Sequence, residues 1–562
     1  MHLTLTVLLA GCTLPDLKDP STDGAGSDDS GNSNAAADHD GDGYDADQDC
    51  DDDNAAVNPG ISSDGCNGAD DDCDGDVDED PNVSWFPDED GDGYGNTSAG
   101  ASVSCDRPGG TVANHLDCND GDVHTWPGAP EMCDSADNDC DGTVDEDISS
   151  DLPWYADRDG DETGDAARMT TGCSQPAGYV DNAYDCNDSD AGEPVWVTDG
   201  GNGSGGFNDP LGSIQQAIDT GHYCLYVHGG TYYENIDFRG QSQFLWGIDG
   251  SPNTTIQGDG TNSTVLMLSS ESPTMQGFTV TGGGGYPSFY DYDGGDGYHY
   301  YYEGYYGGGI LINGGSPTLT DIVAFNNQLP DTSTVTRGTD VTQISSFGGG
   351  IYTGGGYPVF YQVKVFDNTA SQGAGIELQS GGLTAYDLEV SGNSGQTYAG
   401  IDVEYAAFSG TAVLMNANHA DYGYGGIFAS GSTVNLMNAT IVALDYGIVL
   451  TNGSVMEIDS SILQNNTYGV LGDGSATATA LFTDVYSSAA NWKSIDDPTG
   501  SDGNQSVNAQ FKTLRSDSDR TNDNLQLSSK STLIDAGNPD SSNNDKDGST
   551  NDCGYYGGPY AP

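Results

Sequence analysis

The sequence predicts an all-β chain in two parts, small disulfide-linked, metal-binding loop repeats followed by a stacked parallel β-helix. Three observations carry that reading. Glycine supplies 83 of 562 residues while only 35% are hydrophobic, which suits turn-rich β architecture and excludes helical bundles, since glycine is a poor helix former. Aspartates and cysteines recur in a fixed order through the first third, and Gly-Ile steps recur at regular spacing through the rest. Charge divides the chain near the same place: residues 1–190 hold 49 acids and 4 bases, residues 191–562 hold 39 acids and 9 bases. The net charge of −75 excludes a nucleic-acid binder, because nothing here could neutralise a row of phosphates, and excludes electrostatic docking on anionic lipid.

Residues 1–12 read as a targeting segment. The apolar run Leu3 to Leu9 ends in Leu9-Ala10-Gly11-Cys12, which resembles the lipobox of bacterial lipoproteins. That resemblance implies a diacylglyceryl group on the Cys12 thiol, although the preceding residues include His2 but no Lys or Arg. Acyl chains anchor a protein without a spanning helix, and no other run reaches the roughly 18 apolar residues that a span needs. The expected location is the bacterial cell envelope, lipid-anchored at the outer membrane or cell surface, with the membrane reached through the lipid anchor only. Residues 13–37 are Ser, Asp, Gly, Asn and Ala with almost nothing large and apolar after Leu17, the composition of a flexible tether.

From residue 38 to 190 the chain repeats. Three openings align, at Asp38-His39-Asp40-Gly41-Asp42-Gly43-Tyr44, Asp88-Glu89-Asp90-Gly91-Asp92-Gly93-Tyr94 and Asp157-Arg158-Asp159-Gly160-Asp161-Glu162. Each leads to an Asp-Cys element, at Asp49-Cys50, Asp117-Cys118 and Asp185-Cys186, and the units span 38–80, 88–147 and 154–190. Two of them close with a third element, carrying Asp70, Asp72, Asp74 and Gly75, or Asp137, Asp139, Asp141 and Gly142. Acids at positions 1, 3 and 5, a turn glycine at 6 and a carbonyl at 7 are what a hard, oxygen-seeking cation requires. Asp38, Asp40, Asp42 and the Tyr44 carbonyl fit that frame, with Asp49 on position 12; in the closing loop Asp145 falls on position 9. Ala99 stands where the second opening wants its last carboxylate, and Glu162 replaces the turn glycine of the third, which is expected to be the weakest. Calcium is the expected ion, since His is scarce and the donors are oxygens.

Cys66 and Cys73, like Cys133 and Cys140, share one spacing, and Cys105 with Cys118 and Cys173 with Cys186 share another. In an exported protein these pairs read as disulfides rather than zinc ligands. Cys50 has no counterpart of Cys105 in its unit and is expected to be free or to pair with something distant. The order of these elements, with Pro127-Gly128-Ala129-Pro130-Glu131 in place, resembles the MopE-type metal-binding repeat of exported bacterial proteins. That family is named for copper, which is therefore the alternative ion.

After Pro194 the texture changes. Residues 209–221 show helical spacing at Leu211, Ile214, Ala217 and Ile218 and lead into Gly230-Thr231-Tyr232-Tyr233-Glu234-Asn235-Ile236, which resembles the capping helix and first turn of bacterial right-handed parallel β-helices of the pectin-lyase-like kind. Ile310, Ile351, Ile376, Ile401, Ile427, Ile448 and Val470 then recur at intervals of 21 to 26 residues, apart from one jump of 41. That is the length of one coil whose alternate apolar residues point into a stacked core. Asn326, Asn327, Asn368, Asn393, Asn465 and Asn466 suit its corners. The β-helix is expected over 195–562, closing through Asp547-Gly548 to Gly557-Gly558.

Stacking Ile376 on Ile401 places Glu377 beside Asp402 and Gln379 beside Glu404, pointing outward. Coils lie about 4.8 Å apart, so these like charges need a cation, a shared proton or a sugar. Paired carboxylates can hydrolyse glycosides, whereas a lyase wants a base, and Arg337 and Lys364 are the only ones between Arg239 and Lys493. The insertion at 282–309 is rich in tyrosine, and Tyr301, Tyr302, Tyr305 and Tyr306 are candidate contacts for sugars or proteins. The expectation is a lipid-anchored surface protein whose calcium-ordered repeats present a β-helix to a polysaccharide or surface-protein ligand. A polysaccharide-degrading enzyme using Glu377, Asp402 and Glu404, and a purely structural envelope protein, are the alternatives.

Overall fold

The computed structural model describes residues 38–562 except 63, 79–82, 146–151, 161, 174, 188–191, 193, 294–297, 338 and 516–519. Cys12 and the 13–37 segment lie outside the described residues. Among the described residues no helix is long and apolar enough to cross a membrane. The chain forms two compact units that meet in sequence at residues 151 and 152, not near 190. The third repeat belongs to the second unit because Cys186 is bridged to Cys224, the Tyr184 ring packs edge-on against Trp196 at 5.2 Å, and the Tyr226 hydroxyl donates to the Tyr184 carbonyl.

The first unit holds little regular structure. Ser84–Pro87 pairs antiparallel with Ser102–Val103 and with Thr111–Val112, and the remainder is turns whose amides are taken up by aspartate side chains. Its disulfides do not follow the shared spacings. Cys50 bridges Cys73, Cys66 bridges Cys105 and Cys118 bridges Cys140, and Cys186 bridges Cys224, so all four expected pairings, Cys66/Cys73, Cys133/Cys140, Cys105/Cys118 and Cys173/Cys186, are corrected; Cys133 and Cys173 are disulfide-bonded as well. The reason is local backbone geometry. Cys73 and Cys140 each stand in the left-handed region, at φ 59° and 60°, a turn that carries their sulfurs to the Asp-Cys element instead of to the neighbouring cysteine. Cys50 is thus neither free nor anomalous, and its equivalent is Cys118.

The second unit is a right-handed parallel β-helix. Helix α1, Ile214–Thr220, caps it; Ser213 is the N-cap, Gly221 at φ 78° ends it, and Ile214, Ala217 and Ile218 are buried over the first coil. Glu234 holds the helix start, accepting from Ser213 Oγ, Ile214 N and Gln215 N at 2.7 to 3.1 Å, which suits a carboxylate at the positive end of a helix. Leu211 lies before the helix, bridged to Val197. One parallel sheet runs from Ile236–Asp237 through Val265–Met267, Ile310–Ile312, Ile351–Thr353, Ile376–Gln379, Ile401–Glu404, Ile427–Ser430, Tyr446–Thr451 and Tyr468–Gly472 to Ala490–Lys493. Its register stacks Ile310, Ile351, Ile376, Ile401, Ile427, Ile448 and Val470 in one file, all of them fully buried. Each such side chain withdrawn from water contributes about 1.5–3 kcal/mol. A second long sheet, including Thr318–Phe325, Val359–Phe366, Gly382–Ser391, Ala407–Asn416 and Thr433–Val442, faces it across the core.

Asparagine ties the corners together. Asn326 and Asn465 take left-handed backbone at φ 51° and 59°. Asn327, Asn368, Asn393 and Asn418 form a buried ladder in which Oδ1 of each of the last three accepts from the backbone N–H and Nδ2 of the asparagine one coil before, at 2.9 to 3.0 Å. The interval of 41 residues is a second insertion. Ser333–Arg337 and Asp340–Phe347 leave the coil and pair with Tyr286–Asp293 and His299–Tyr306 of the first insertion, making a four-stranded sheet that we call the tyrosine arm.

Near the far end Asp484 is fully buried. Its Oδ1 accepts from Val507 N at 2.8 Å while Oδ2 has no donor, and burial pushes its carboxyl up to about 7. A carboxyl that holds its proton longer in the folded chain contributes stability that is full below its unfolded pKa near 4 and lost as the pH rises through about 7. Asp484→Asn should therefore gain stability over the wild type by about 4 kcal/mol at pH 8, with little gain at pH 4. Urea unfolding at the two pH values measures this; an equal difference at both would contradict it.

Candidate functional site

The acid loops build themselves from Asp-x-Asp spacing. In the first, Asp38 accepts from Gly41 N and Gly43 N at 2.6 and 3.0 Å, Asp40 from Asp42 N at 3.2 Å, and Asp42 from Tyr44 N at 2.9 Å. The amides engage one oxygen of Asp40 and of Asp42, and the other oxygen of each is buried without a donor. Oxygens of Asp38, Asp40 and Asp42 lie within 4.8 Å of one another, as do those of Asp88, Asp90 and Asp92. Asp40 and Asp92 are held above the usual carboxylate range, chiefly by burial and then by neighbouring aspartates.

Two carboxylates join the candidates that the spacing predicts. The gap at Ala99 is filled from elsewhere, because Asp117 pairs with Asn96 and its carboxyl, raised by burial and then by Asp92 and Asp90, leaves Oδ2 buried without a donor. Asp49 occupies the same place in the first unit, also with a buried Oδ2 lacking a donor. Its position-12 register is thus the Asp of the Asp-Cys element, which the second repeat supplies from beyond a strand insertion. In the first closing loop oxygens of Asp64, Asp70 and Asp72 lie within 4.8 Å of one another, and Asp74 Oδ1 accepts from Asp76 N as Asp42 Oδ1 does from Tyr44 N. Asp64 was missed, although its place two residues before Cys66 matches Glu131 before Cys133; the two accept equivalently from Asp72 N and Asp139 N at 2.9 and 2.7 Å. In the second closing loop Asp137 accepts from Asp141 N and Gly142 N, Asp139 from Asp141 N, and Asp145 from Asp134 N and Ser135 N. Asp161 of the third opening lies outside the described residues, and Glu162 stands at φ 70°, the strained backbone expected where the turn glycine is missing. The donor set fits a hard cation. Cys50 and Cys73 sit beside Asp49 but are joined to each other, which leaves no thiolate there for a soft metal.

On the β-helix, Ile376 pairs with Ile401, Glu377 with Asp402 and Gln379 with Glu404, as the spacing predicts. Glu377 and Asp402 alternate with core residues and so face away from the core, yet both are 0% exposed. They are not a solvated face. Tyr352 precedes them in the ladder and Phe428 follows, and a Cβ added to Gly373 would meet Glu377 Oε2 at 2.5 Å. Gln379 Nε2 donates to Glu377 Oε1 at 3.2 Å, and Tyr352 donates to Gln379 Oε1 at 2.9 Å. Burial, then the neighbouring carboxylates, holds Glu377 and Asp402 well above the usual range. Glu404 is half-buried at a cleft of about 300 Å³ lined with Tyr352, Gly354, Gln379, Ser380 and Tyr405. Sealing removes Glu377 and Asp402 as an acid and nucleophile pair, since a glycosidic oxygen cannot reach them.

The tyrosine arm sorts its rings by register. Tyr306 packs with Tyr286 and Phe347 against Leu266, Leu311 and Tyr352, and Tyr305 packs against Leu329. These two half-buried rings anchor the arm. Tyr301 and Tyr302 point to opposite faces of their strand. The face shared by Tyr290, Tyr292, Tyr300 and Tyr302 carries near-parallel rings, Tyr292 stacking on Tyr300 at 5.1 Å and on Tyr302 at 5.8 Å, with Tyr290 65% exposed.

Residues 49–79 and 117–146 match the family described as "Putative metal-binding motif", the MopE type. Both MopE-type motifs start on the Asp of the Asp-Cys element and run through a closing loop, so the matched residues include Asp49, Asp64, Asp70, Asp72 and Asp117. No curated protein matches the sequence. Among solved structures, a crystal structure of pectate lyase Pel9A is similar at 13% identity and TM-score 0.41, over 64% of this chain and 95% of that one. The catalytic domain of a GH87 α-1,3-glucanase in complex with tetrasaccharides is similar at 14% identity and TM-score 0.25, over 53% and 66%. The β-helix assignment stands on the parallel ladders of this chain itself.

Replacing Asp117 by Asn should remove about one bound cation per chain by calorimetric titration, because Asp117 completes the loop of Asp88, Asp90 and Asp92. An unchanged stoichiometry would show that the loop ends at its own aspartates.

Proposed function

We propose that this is an exported, lipid-anchored surface protein, anchored at Cys12, in which calcium orders the MopE-type repeats and the β-helix holds out the tyrosine arm to bind a polysaccharide. The observation that carries the reading is the tyrosine face at Tyr290, Tyr292 and Tyr302, with Tyr290 and Tyr292 exposed and Tyr302 half-buried beside them, set on a four-stranded sheet whose root packs against the β-helix. Aromatic faces offer a flat apolar surface beside hydroxyls that donate to sugar oxygens, and a rigid sheet presents them with little ordering cost. Calcium is supported by the oxygen-only donors and the paired cysteines. A net charge of −75 favours a neutral polysaccharide over a polyuronate, since like charges repel. Catalysis receives less support, because the paired carboxylates are closed to substrate.

Retention on insoluble neutral polysaccharides, chitin and β-glucan among them, is the direct test. The triple variant Tyr290→Ser, Tyr292→Ser, Tyr302→Ser should lose retention at least tenfold, at about 1–3 kcal/mol for the lost ring contacts, with an unchanged thermal melt. Retention equal to the wild type would exclude the arm as the binding face.

A further inference from the structure

The pair of buried carboxylates on the β-helix is incompletely satisfied, and the deficit has a definite shape. Glu377 Oε2 and both oxygens of Asp402 are buried with no hydrogen-bond donor. Glu377 Oε1 has only Gln379 Nε2. The two carboxyls act on each other, and the other groups that act on them are Glu404, Gln379 and the Val403 amide, with no lysine or arginine among them. One shared proton would satisfy a single contact between Glu377 and Asp402 and leave the second oxygen of Asp402 still without a partner. A divalent ion answers every one of these oxygens at once, and it would also draw on Glu404, which stands two residues beyond Asp402 on the same side of the strand. Glu404 in turn opens on the cleft that it lines with Gln379 and Tyr405.

The same place is the root of the tyrosine arm. Gly373, the residue lying against Glu377, belongs to a turn that the arm strand Asp340–Phe347 grips on leaving the sheet. Gln372 N donates to Ser346 O at 3.0 Å, Ser371 N to Ser346 Oγ at 2.8 Å, and Gly348 N to Gln372 O at 3.1 Å. Tyr306 and Tyr352 pack above it, ring centroids 5.1 Å apart.

We propose that Glu377, Asp402 and Glu404 bind a calcium ion on the outward side of the β-helix, beneath the turn at Gly373, and that this ion fixes the root of the tyrosine arm. The donor atoms are carboxylate oxygens, which select a hard cation over a soft one. This site is separate from the acid loops and does not depend on what the arm binds.

Calcium titration of the full chain by calorimetry tests it, comparing the wild type with Asp402→Asn and Glu404→Gln. Each variant is expected to bind one ion fewer than the wild type. Limited proteolysis within the arm is expected to run about tenfold faster for either variant than for the wild type in calcium, the wild type reaching the same rate only in chelator. Should Asp402→Asn fail to fold, Glu404→Gln, at the rim of the cleft, decides the matter. An unchanged ion count in Glu404→Gln, or arm cleavage that ignores calcium in the wild type, overturns the proposal.

Discussion

Carboxylate oxygens that converge on a common centre without a donor have to be satisfied by something, and the first unit of this protein is organised around that requirement. Each aspartate of an Asp-x-Asp loop gives oxygen to the loop's own amides, which shapes the turn, while Asp40, Asp42, Asp90 and Asp92 each keep one buried oxygen without a donor. The amide bonds fix the side chains and so concentrate negative charge that water cannot reach. Repulsion on that scale opposes folding, and a bound cation converts it into attraction, which makes ion binding and folding one equilibrium. Disulfides work beside the ion. They join each closing loop to an Asp-Cys element, Cys73 to Cys50 and Cys140 to Cys118, so that strands too short to make a core are held by covalent and ionic links instead.

The second unit solves a different problem. A β-helix buries one side of every strand and must dispose of the other, and this one uses the outward side to attach an accessory sheet. The outward file of Leu266, Leu311 and Tyr352 receives Tyr286, Tyr306 and Phe347 of the arm; where the file turns acidic, at Glu377 and Asp402, the neighbouring turn closes over it. The inward file and the asparagine ladder keep the coils in register, so two insertions from successive coils arrive side by side and pair as one sheet. A rigid solenoid thus positions a surface that neither insertion could form alone.

Much of this was legible because stacked coils translate sequence interval directly into contact. The spacing from Ile376 to Ile401 placed Glu377 on Asp402 and Gln379 on Glu404, which the ladder shows. The interval of 41 residues before Ile351 was the one signal of a second insertion, and its meaning depended on pairing with a segment some 40 residues away. Burial was not legible. Alternation tells that Glu377 leaves the core, but its cover comes from Gly373 and from rings on other coils. Cysteine spacing misled for a similar reason, since the left-handed backbone at Cys73 and Cys140 decides where the sulfurs go. The role of Asp117 was hidden by a strand insertion that separates it from the loop it completes, whereas its equivalent Asp49 happens to fall at the right distance.

The central claim is that calcium supplies what the aspartates lack. Its most direct measurement is calorimetric unfolding of the full chain in calcium, in copper and in chelator. The account predicts that chelator abolishes or strongly lowers a transition belonging to the disulfide-linked repeats, that calcium restores it, and that copper does not. A melt that is the same in all three, or one restored by copper alone, would contradict it.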